Sequence, residues 1–250
     1  DTIDLGLPGL RFPPKDLQDA LPQQLALLQA AREAMDAAGA VPVTRTGVFV
    51  GMEPDVEVCR YGLRWRQAQR LRDAGLDPAS QAPWLAAVEE SIVPTLTSAG
   101  VVGTMPNIPA NRLNSQFDLG AGSISISSGE DSGTQCLALA ARALSRGEID
   151  AALVGATDMS CQSVHTRALA ALEGKESVPG DAAVVLVIKR LTDAERDGDS
   201  IVAVLEAAKQ PAVPVSLNER LGRCWSAGQL RDLVAHVLTL SHHAHIDGTP

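Results

Sequence analysis

The sequence predicts an α/β domain, and three stretches carry that prediction. Residues 123–144 (SISISSGEDSGTQCLALAARAL) read as a strand, an abrupt turn and a buried helix. Residues 149–156 and 182–189 are continuous apolar runs, the pattern of strands in a sheet covered on both faces. Residues 23–38 carry a strong helix pattern, opened by Pro22 and closed by Gly39, which is the expected asymmetry of helix ends.

The first of these stretches organises the others. Ser123, Ser125 and Ser127 alternate with Ile124 and Ile126, the period of two that marks a strand. The run from Ser128 to Gly133 has the Ser/Gly/Asp composition of a turn. Asp131 or Ser132 is expected to cap the helix that follows, since a side-chain oxygen can accept from its unpaired N–H groups. From Cys136 through Leu137, Leu139, Ala140, Ala143 and Leu144 the apolar residues cover several faces, so the helix is buried. A strand–turn–helix of this kind presents one side chain at its tip, near the positive end of the helix dipole. In an enzyme that is a place for a nucleophile; here the tip carries Glu130.

In chain order, residues 1–14 form an irregular opening with Gly6, Pro8, Pro13 and Pro14. Gln23 and Gln24 are expected to serve helix capping and local packing. Residues 46–52 are a short apolar strand ending at Gly51. The polar stretch 53–72 contains Arg60, Arg64, Arg66, Arg70 and Arg72, and reads as a solvated helix face with ion pairs. Tyr61, Trp65 and Trp84 are expected as core or interface anchors. Residues 83–98 form a further helix, and a helical turn from Gly103 leads to Asn111 and Phe117. Asp158, Ser160 and Gln162 are expected in the loop after the apolar strand at 149–156. Residues 192–198 are charged, 201–205 are expected to be the next strand, and 230–240 an amphipathic helix.

Composition narrows the function classes. A chain of 250 residues can bury a sizeable core in one domain. A net charge of −9 argues against nucleic acid and against an anionic membrane surface. No apolar run reaches the roughly 18 residues of a membrane-spanning helix. No signal peptide is expected before Asp1. Cys59, Cys136, Cys161 and Cys224 lie far apart with no CxxC spacing, so reduced thiols in a cytoplasmic protein are expected. His242, His243 and His245 have no matching ligand cluster and read as a solvated tail. Cys161 and His165 are four residues apart but lack a visible orienting partner. Gly120-Ala121-Gly122 is a turn, because no GxxxxGK[ST] phosphate loop is present.

The elbow resembles that of the ketosynthase family of condensing enzymes. The likeness extends through Ala110-Asn111-Arg112-Leu113-Asn114 and Phe117-Asp118-Leu119 before it, and through Ala143 to Gly155 after it. It also takes in Leu21-Pro22-Gln23-Gln24-Leu25, the strand ending at Gly51, and the linker-like Arg190 to Asp199. The resemblance implies a thiolase-like α/β fold: a mostly parallel sheet with helices on both faces and the strand at 123–127 at a dimer seam. It implies residues 1–198 as the first thiolase-like half and 199–250 as the remnant of a second. A full ketosynthase has two similar halves; the first strand and most of the second half have no counterpart here. The chain is accordingly a fragment, a domain of a larger synthase, or a reduced homologue.

In an active relative the position of Glu130 is a cysteine. Condensation needs a thiolate to accept the acyl group and two histidines to favour decarboxylation and hold the enolate oxygen. Glu130 cannot form a thioester. The segment Leu221 to Gly228 resembles the one that carries a catalytic histidine, and Arg223 stands at that position, where it could pair with Glu130 or with a substrate carboxylate. The other histidine has no counterpart. Glutamate departs from the glutamine of the cysteine-less relatives, but the combination of Arg11-Phe12-Pro13-Pro14, Gly51-Met52-Glu53, Tyr61-Gly62-Leu63-Arg64-Trp65-Arg66 and the Glu130 elbow most resembles a chain-length-factor-like domain of a polyunsaturated fatty acid or polyketide synthase, which implies a domain silent in condensation. Its implied partners are an active ketosynthase in a heterodimer, or a second copy in a homodimer. An acyl carrier protein is the transient visitor, its phosphopantetheine the substrate arm, with no bound cofactor and no metal. The arginines of 53–72 then gain a second reading, as a phosphate-steering surface for that carrier. The competing expectations are a malonyl-carrier decarboxylase of the loading-ketosynthase kind using the Glu130 elbow, a 3-oxoacyl-carrier synthase homologue of unknown activity, and a nonfunctional remnant.

Overall fold

The computed structural model describes residue 3 and residues 5–174, 177–206 and 216–242. Twelve helices and four strands occur among them. Helices α1 (Pro14–Gln18) and α2 (Pro22–Ala38) precede β1 (Thr46–Gly51). Next come α3 (Cys59–Trp65), α4 (Gln67–Asp73), α5 (Ala82–Ile92), α6 (Ser98–Thr104) and α7 (Ile108–Phe117). The elbow follows as β2 (Ser123–Ile126), a short 3-10 turn and α8 (Ser132–Ser145). The remainder is β3 (Ala151–Met159), α9 (Ser163–Glu173), β4 (Asp181–Lys189), α10 (Leu191–Asp197), α11 (Asn218–Leu221) and α12 (Gly228–Ser241).

The four strands form one sheet in the order β2-β1-β3-β4. β1 is parallel to both β2 and β3, and β4 closes the other edge antiparallel to β3. The mostly parallel sheet with helices on both faces is thus present, in the α/β thiolase-like arrangement.

Alternation along the strands divides the core into two layers. Val48, Val50 and Leu153 point to one face and pack with Leu27, Leu28 and Ala31 of α2 and Leu113 of α7. Phe49, Val154 and Ala156 point to the other and pack with Cys136, Ala140 and Leu144 of α8 and Leu230 of α12. Because β1 and β3 are buried on both sides, they read as unbroken apolar runs.

Several expectations about local structure are corrected. The helix expected over 83–98 ends at Ile92, and a second one, α6, begins at Ser98. Thr97 separates them and its hydroxyl accepts from Gly100 N at 3.0 Å, a side-chain cap that starts the new helix. Residues 201–205 are not a strand: they belong to no ladder, and Ile201, Val202, Val204 and Leu205 are exposed. Their apolar run has no neighbour to pair with among the described residues. Trp65 and Trp84 are not core residues; they are 66% and 52% exposed. Gln24 packs but does not cap: its Nε2 donates to Gly103 O at 2.8 Å and its Oε1 accepts from Arg112 Nε at 3.0 Å, tying α2 to α6 and α7. His243 and His245 lie outside the described residues, and His242 is exposed at the end of α12.

Candidate functional site

β1 ends at Gly51 because the elbow comes too close for any side chain there. A Cβ on Gly51 would lie 2.6 Å from Gly133 N, in the first turn of α8. The turn itself is fastened by Glu53, whose Oε1 accepts from Gly129 N at 2.7 Å, and by Ser127, whose hydroxyl donates to Met52 O at 2.7 Å. Gly129 takes φ of 59°, a left-handed conformation that suits glycine. Neither Asp131 nor Ser132 caps α8 through its side chain. The Ser132 hydroxyl instead accepts from Ser128 N and donates to Gly129 O, so it braces the turn before the helix. Asp131 is held by Gln229 Nε2 at 2.7 Å.

Glu130 emerges at the tip, half exposed, and its partner is Arg223. Nε and Nη2 of Arg223 lie 2.7 and 2.6 Å from Glu130 Oε1. Nη1 donates to both oxygens of Glu173, at 2.8 and 2.9 Å, and the guanidinium lies 4.6 Å from the Trp225 ring centroid. Burial works against the charge, but the hydrogen bonds it donates to Glu173 and Glu130 outweigh it and hold the guanidinium above its ordinary pKa. The sequence placed Glu130 and Arg223 at one site, and they meet there; Glu173 and Trp225 were missed. Trp225 had a signal in its position two residues after Arg223, in a chain with only 3% aromatics. Glu173, at the far end of α9, had none.

Arg223 arrives on a strap made by residues 216–228. Its backbone is bridged in parallel to Pro179, with Arg223 N donating to Val178 O and Gly180 N donating to Arg223 O. Gly222 and Gly180 allow that contact, since a Cβ on Gly222 would lie 2.2 Å from Pro179 O. Farther along, Ser226 N donates to Asp158 Oδ2 at 3.2 Å, and the Ser226 hydroxyl lies 2.9 Å from both Asp158 Oδ2 and Thr157 O. Asp158 also accepts from the Ser160 hydroxyl. Asp158 thus belongs to β3 and is buried beneath the strap, where the sequence suggested a loop residue. Arg231 of α12 donates to Gly222 O at 2.6 Å and pairs with Asp232, which in turn accepts from Leu217 N.

No thiol stands at the tip. Cys136 is fully buried in the sheet-facing side of α8, and burial pushes its thiol up to about 12. Cys224 is buried as well, and burial first of all raises its thiol to about 11. Both are poor sources of thiolate at neutral pH. Cys161 and His165 do not pair: Cys161 N donates to Asp181, and Nε2 of His165 is buried without a hydrogen-bond partner among the described residues. Arg60 pairs with Glu57, and Arg64 with Glu90, as a solvated face would have it, while Arg66, Arg70 and Arg72 are exposed. Among the described residues no group of three or more His, Cys, Asp or Glu could hold a metal ion, and no helix is long and apolar enough to cross a membrane. The elbow therefore holds a fixed carboxylate–guanidinium pair, which can orient charge but cannot carry an acyl group as a thioester.

Residues 9–194 match the model of the beta-ketoacyl synthase N-terminal domain. One of the chains that make up the phenolphthiocerol/phthiocerol polyketide synthase of Mycobacterium tuberculosis is 29% identical over 261 residues, which cover 95% of this chain and 11% of that protein. A chain of the polyunsaturated fatty acid synthase of a Thraustochytrium species is 29% identical over 164 residues, 64% of this chain and 8% of that protein. The present chain thus spans about a tenth or less of the length of these relatives. Among solved structures, the PfaC keto synthase–chain length factor superposes with a TM-score of 0.71 at 18% identity, over 88% of this chain and 31% of that one. Ketosynthase twelve of the bacillaene polyketide synthase of Bacillus amyloliquefaciens superposes with a TM-score of 0.65 at 16% identity, over 98% and 54%. At such identities the structural likeness is one of fold. With the family model covering most of the described sheet and its elbow, the chain belongs to the beta-ketoacyl synthase family, through its N-terminal domain.

Proposed function

We propose that this is a ketosynthase-like domain of a polyketide or polyunsaturated fatty acid synthase that does not condense, and that it acts as a chain-length-factor-like partner of an active ketosynthase. The observation that supports this most is the Arg223–Glu130 pair at the elbow tip, where family chemistry needs a free nucleophile. Arg223 at the position of a catalytic histidine keeps its charge throughout the physiological range and cannot exchange a proton as imidazole does. The domain then contributes surface and cavity shape rather than bond making. The short edge strand β2, with Ile124 exposed, is the face offered to the partner, which is an active ketosynthase or a second copy. An acyl carrier protein visits with its phosphopantetheine arm. α12, which lies beyond the residues matched to the first thiolase-like half, packs onto that half's sheet. A cytoplasmic location fits this role.

A second reading rests on the half exposure of Glu130: a carboxylate beside a guanidinium at the tip could serve decarboxylation of a malonyl-carrier substrate. Incubation of the purified protein with malonyl-carrier, with mass spectrometry following acetyl-carrier, separates the two. No turnover by the protein alone, together with a changed product length when the domain is deleted beside its ketosynthase, supports the partner role. Steady turnover that vanishes in Glu130→Ala overturns it.

A further inference from the structure

The two edges of the sheet are built differently. β2 is four residues long and every second one is serine, a short, half-polar edge that discourages a further neighbour. β4 has nine residues, a strand of roughly 30 Å at about 3.4 Å per residue. Between its charged ends, Asp181 and Lys189, it runs Ala-Ala-Val-Val-Leu-Val-Ile, with no proline, glycine or charge to blunt it. Val185 and Val187 pack into the layer of α2, and Ala182, Val184, Leu186 and Ile188 into the layer of α8 and α12. Apolar cover on both faces is the mark of an interior strand. Yet among the described residues only β3 pairs with β4. Its residues after Asp181 stay half-buried, whereas β1 and β3, with a neighbour on each side, are buried almost throughout.

A second apolar feature starts at one end of this edge. Lys189 Nζ holds Asp199 at 2.5 Å, and just beyond it Ile201, Val202, Val204 and Leu205 are exposed.

We infer that a second copy of this chain docks on the open edge of β4, strand against strand and antiparallel, about a two-fold axis through Val185. The strand's own symmetry names the occupant. In that register Asp181 of one copy lies opposite Lys189 of the other, Ala182 opposite Ile188, Ala183 opposite Val187 and Val184 opposite Leu186. Directly opposite residues share a face, so the α2 layers of the two copies meet on one side and the α8–α12 layers on the other. No like charges face each other. Asp181 and Lys189 already have partners in their own copy, Cys161 N for the one and Asp197 and Asp199 for the other, so the charged ends set the register more than they add attraction. The drive is the pairing of main-chain groups that point away from β3, with apolar side chains closing over both faces. The contact is isologous and closes at two copies. It lies at the opposite edge from β2, so it leaves the ketosynthase-facing edge proposed above unoccupied and stands independently of that role.

The test is sedimentation velocity of the full chain from about 1 to 100 μM, with residue-resolved amide exchange at both ends of that range. The expected result is a shift from one copy to two, with the alternate β4 amides that face away from β3 exchanging at least about tenfold more slowly in the dimer. Ala183→Lys sets a charge opposite Val187 of the other copy and should weaken the dimer by about tenfold or more. Ala183 lines a cavity of about 640 Å³ that has room for a lysine stem, so the single copy keeps its fold. The exchange pattern needs no variant and decides the matter by itself if Ala183→Lys misfolds. Ile124→Asp on β2 leaves the dimer unchanged. A single copy at every concentration overturns the inference, as does a dimer that Ile124→Asp abolishes. Outward β4 amides that exchange freely in the dimer overturn it too. So does their protection in the single copy, which assigns the edge to a segment of the same chain.

Discussion

Arg190 and Arg223 each bridge two carboxylates, one at each end of the sheet, and they differ in what else they touch. Arg190, just past β4, pairs with Asp150 and Asp193, and its Nη1 also donates to the main-chain carbonyls of Leu144 and Ile149 at 3.0 and 2.8 Å. It ties the end of α8, the approach to β3 and the start of α10 into one knot. Among the described residues Arg223 has no main-chain acceptor for its side chain: it holds two rotatable carboxylates and stacks on an indole. An arginine anchored to carbonyls is part of the scaffold, because removing it strands a backbone group. One held only by side chains can change partners without unmaking the fold.

The strongest way to break this contrast is to attack the scaffold beneath both. Leu230→Ala empties a fully buried site between α12, α8 and the sheet, and should cost about 2–5 kcal/mol, read as a lowered urea midpoint with unchanged slope. Gly51→Ala forces a methyl group against Gly133 N and should cost about 1–3 kcal/mol by the same measurement. Next in size, Arg190→Met takes the side-chain donor from Ile149 O, while Leu144 O keeps Gly147 N, and should cost about 1–2 kcal/mol, a figure kept low because the side chain is partly exposed to solvent. Arg223→Met should change stability by less than about 1 kcal/mol, since it breaks only part-exposed ion pairs. Equal losses in the two arginine variants would erase the distinction between them.

The acid limb sharpens the same comparison. Hydrogen bonds from Arg45 and Arg190 hold the Asp150 carboxyl below its ordinary value of 3.8. Asp150 therefore stabilises the folded state above that value, and the contribution is lost as pH falls through the lowered one. Thermal melts from pH 5 to pH 2 should show a steeper acid decline for the wild type than for Asp150→Asn. The smallest expected effect is on thiol reactivity. A thiol-reactive dye at pH 8 should label the exposed Cys59 and Cys161, and reach Cys136 and Cys224 only in denaturant. Burial raises the Cys161 thiol to a lesser degree, with the nearby Asp181 adding to it, so Cys59 should react first.

How much of this was legible in the sequence depended on whether a residue's role is local. β1, β3, β4 and α2 were readable because burial on both faces writes a continuous apolar run, and a helix between Pro22 and Gly39 has both ends marked. The elbow was readable from its alternation and turn composition, and the pairing of Glu130 with Arg223 followed from two separate resemblances that converge in space. Asp158 was not readable as a buried strut, because its partner Ser226 lies 68 residues away and neither sits in a pattern. The same holds for Glu173, which only the path of α9 brings to Arg223. Residues 201–205 misled because a continuous run of β-branched and apolar residues says nothing about whether a neighbouring strand exists.

The bridge between Pro179 and Arg223 has a dynamic consequence. With main-chain contacts on both sides fastening Arg223 to the segment that leads into β4, the only freedom left to that residue is rotation about its own side-chain bonds. A handover of its charge from one acceptor to another is then a rotamer event of one side chain. Such an arrangement answers a passing ligand at once and leaves the hinge-like motions of whole domains out of the timing.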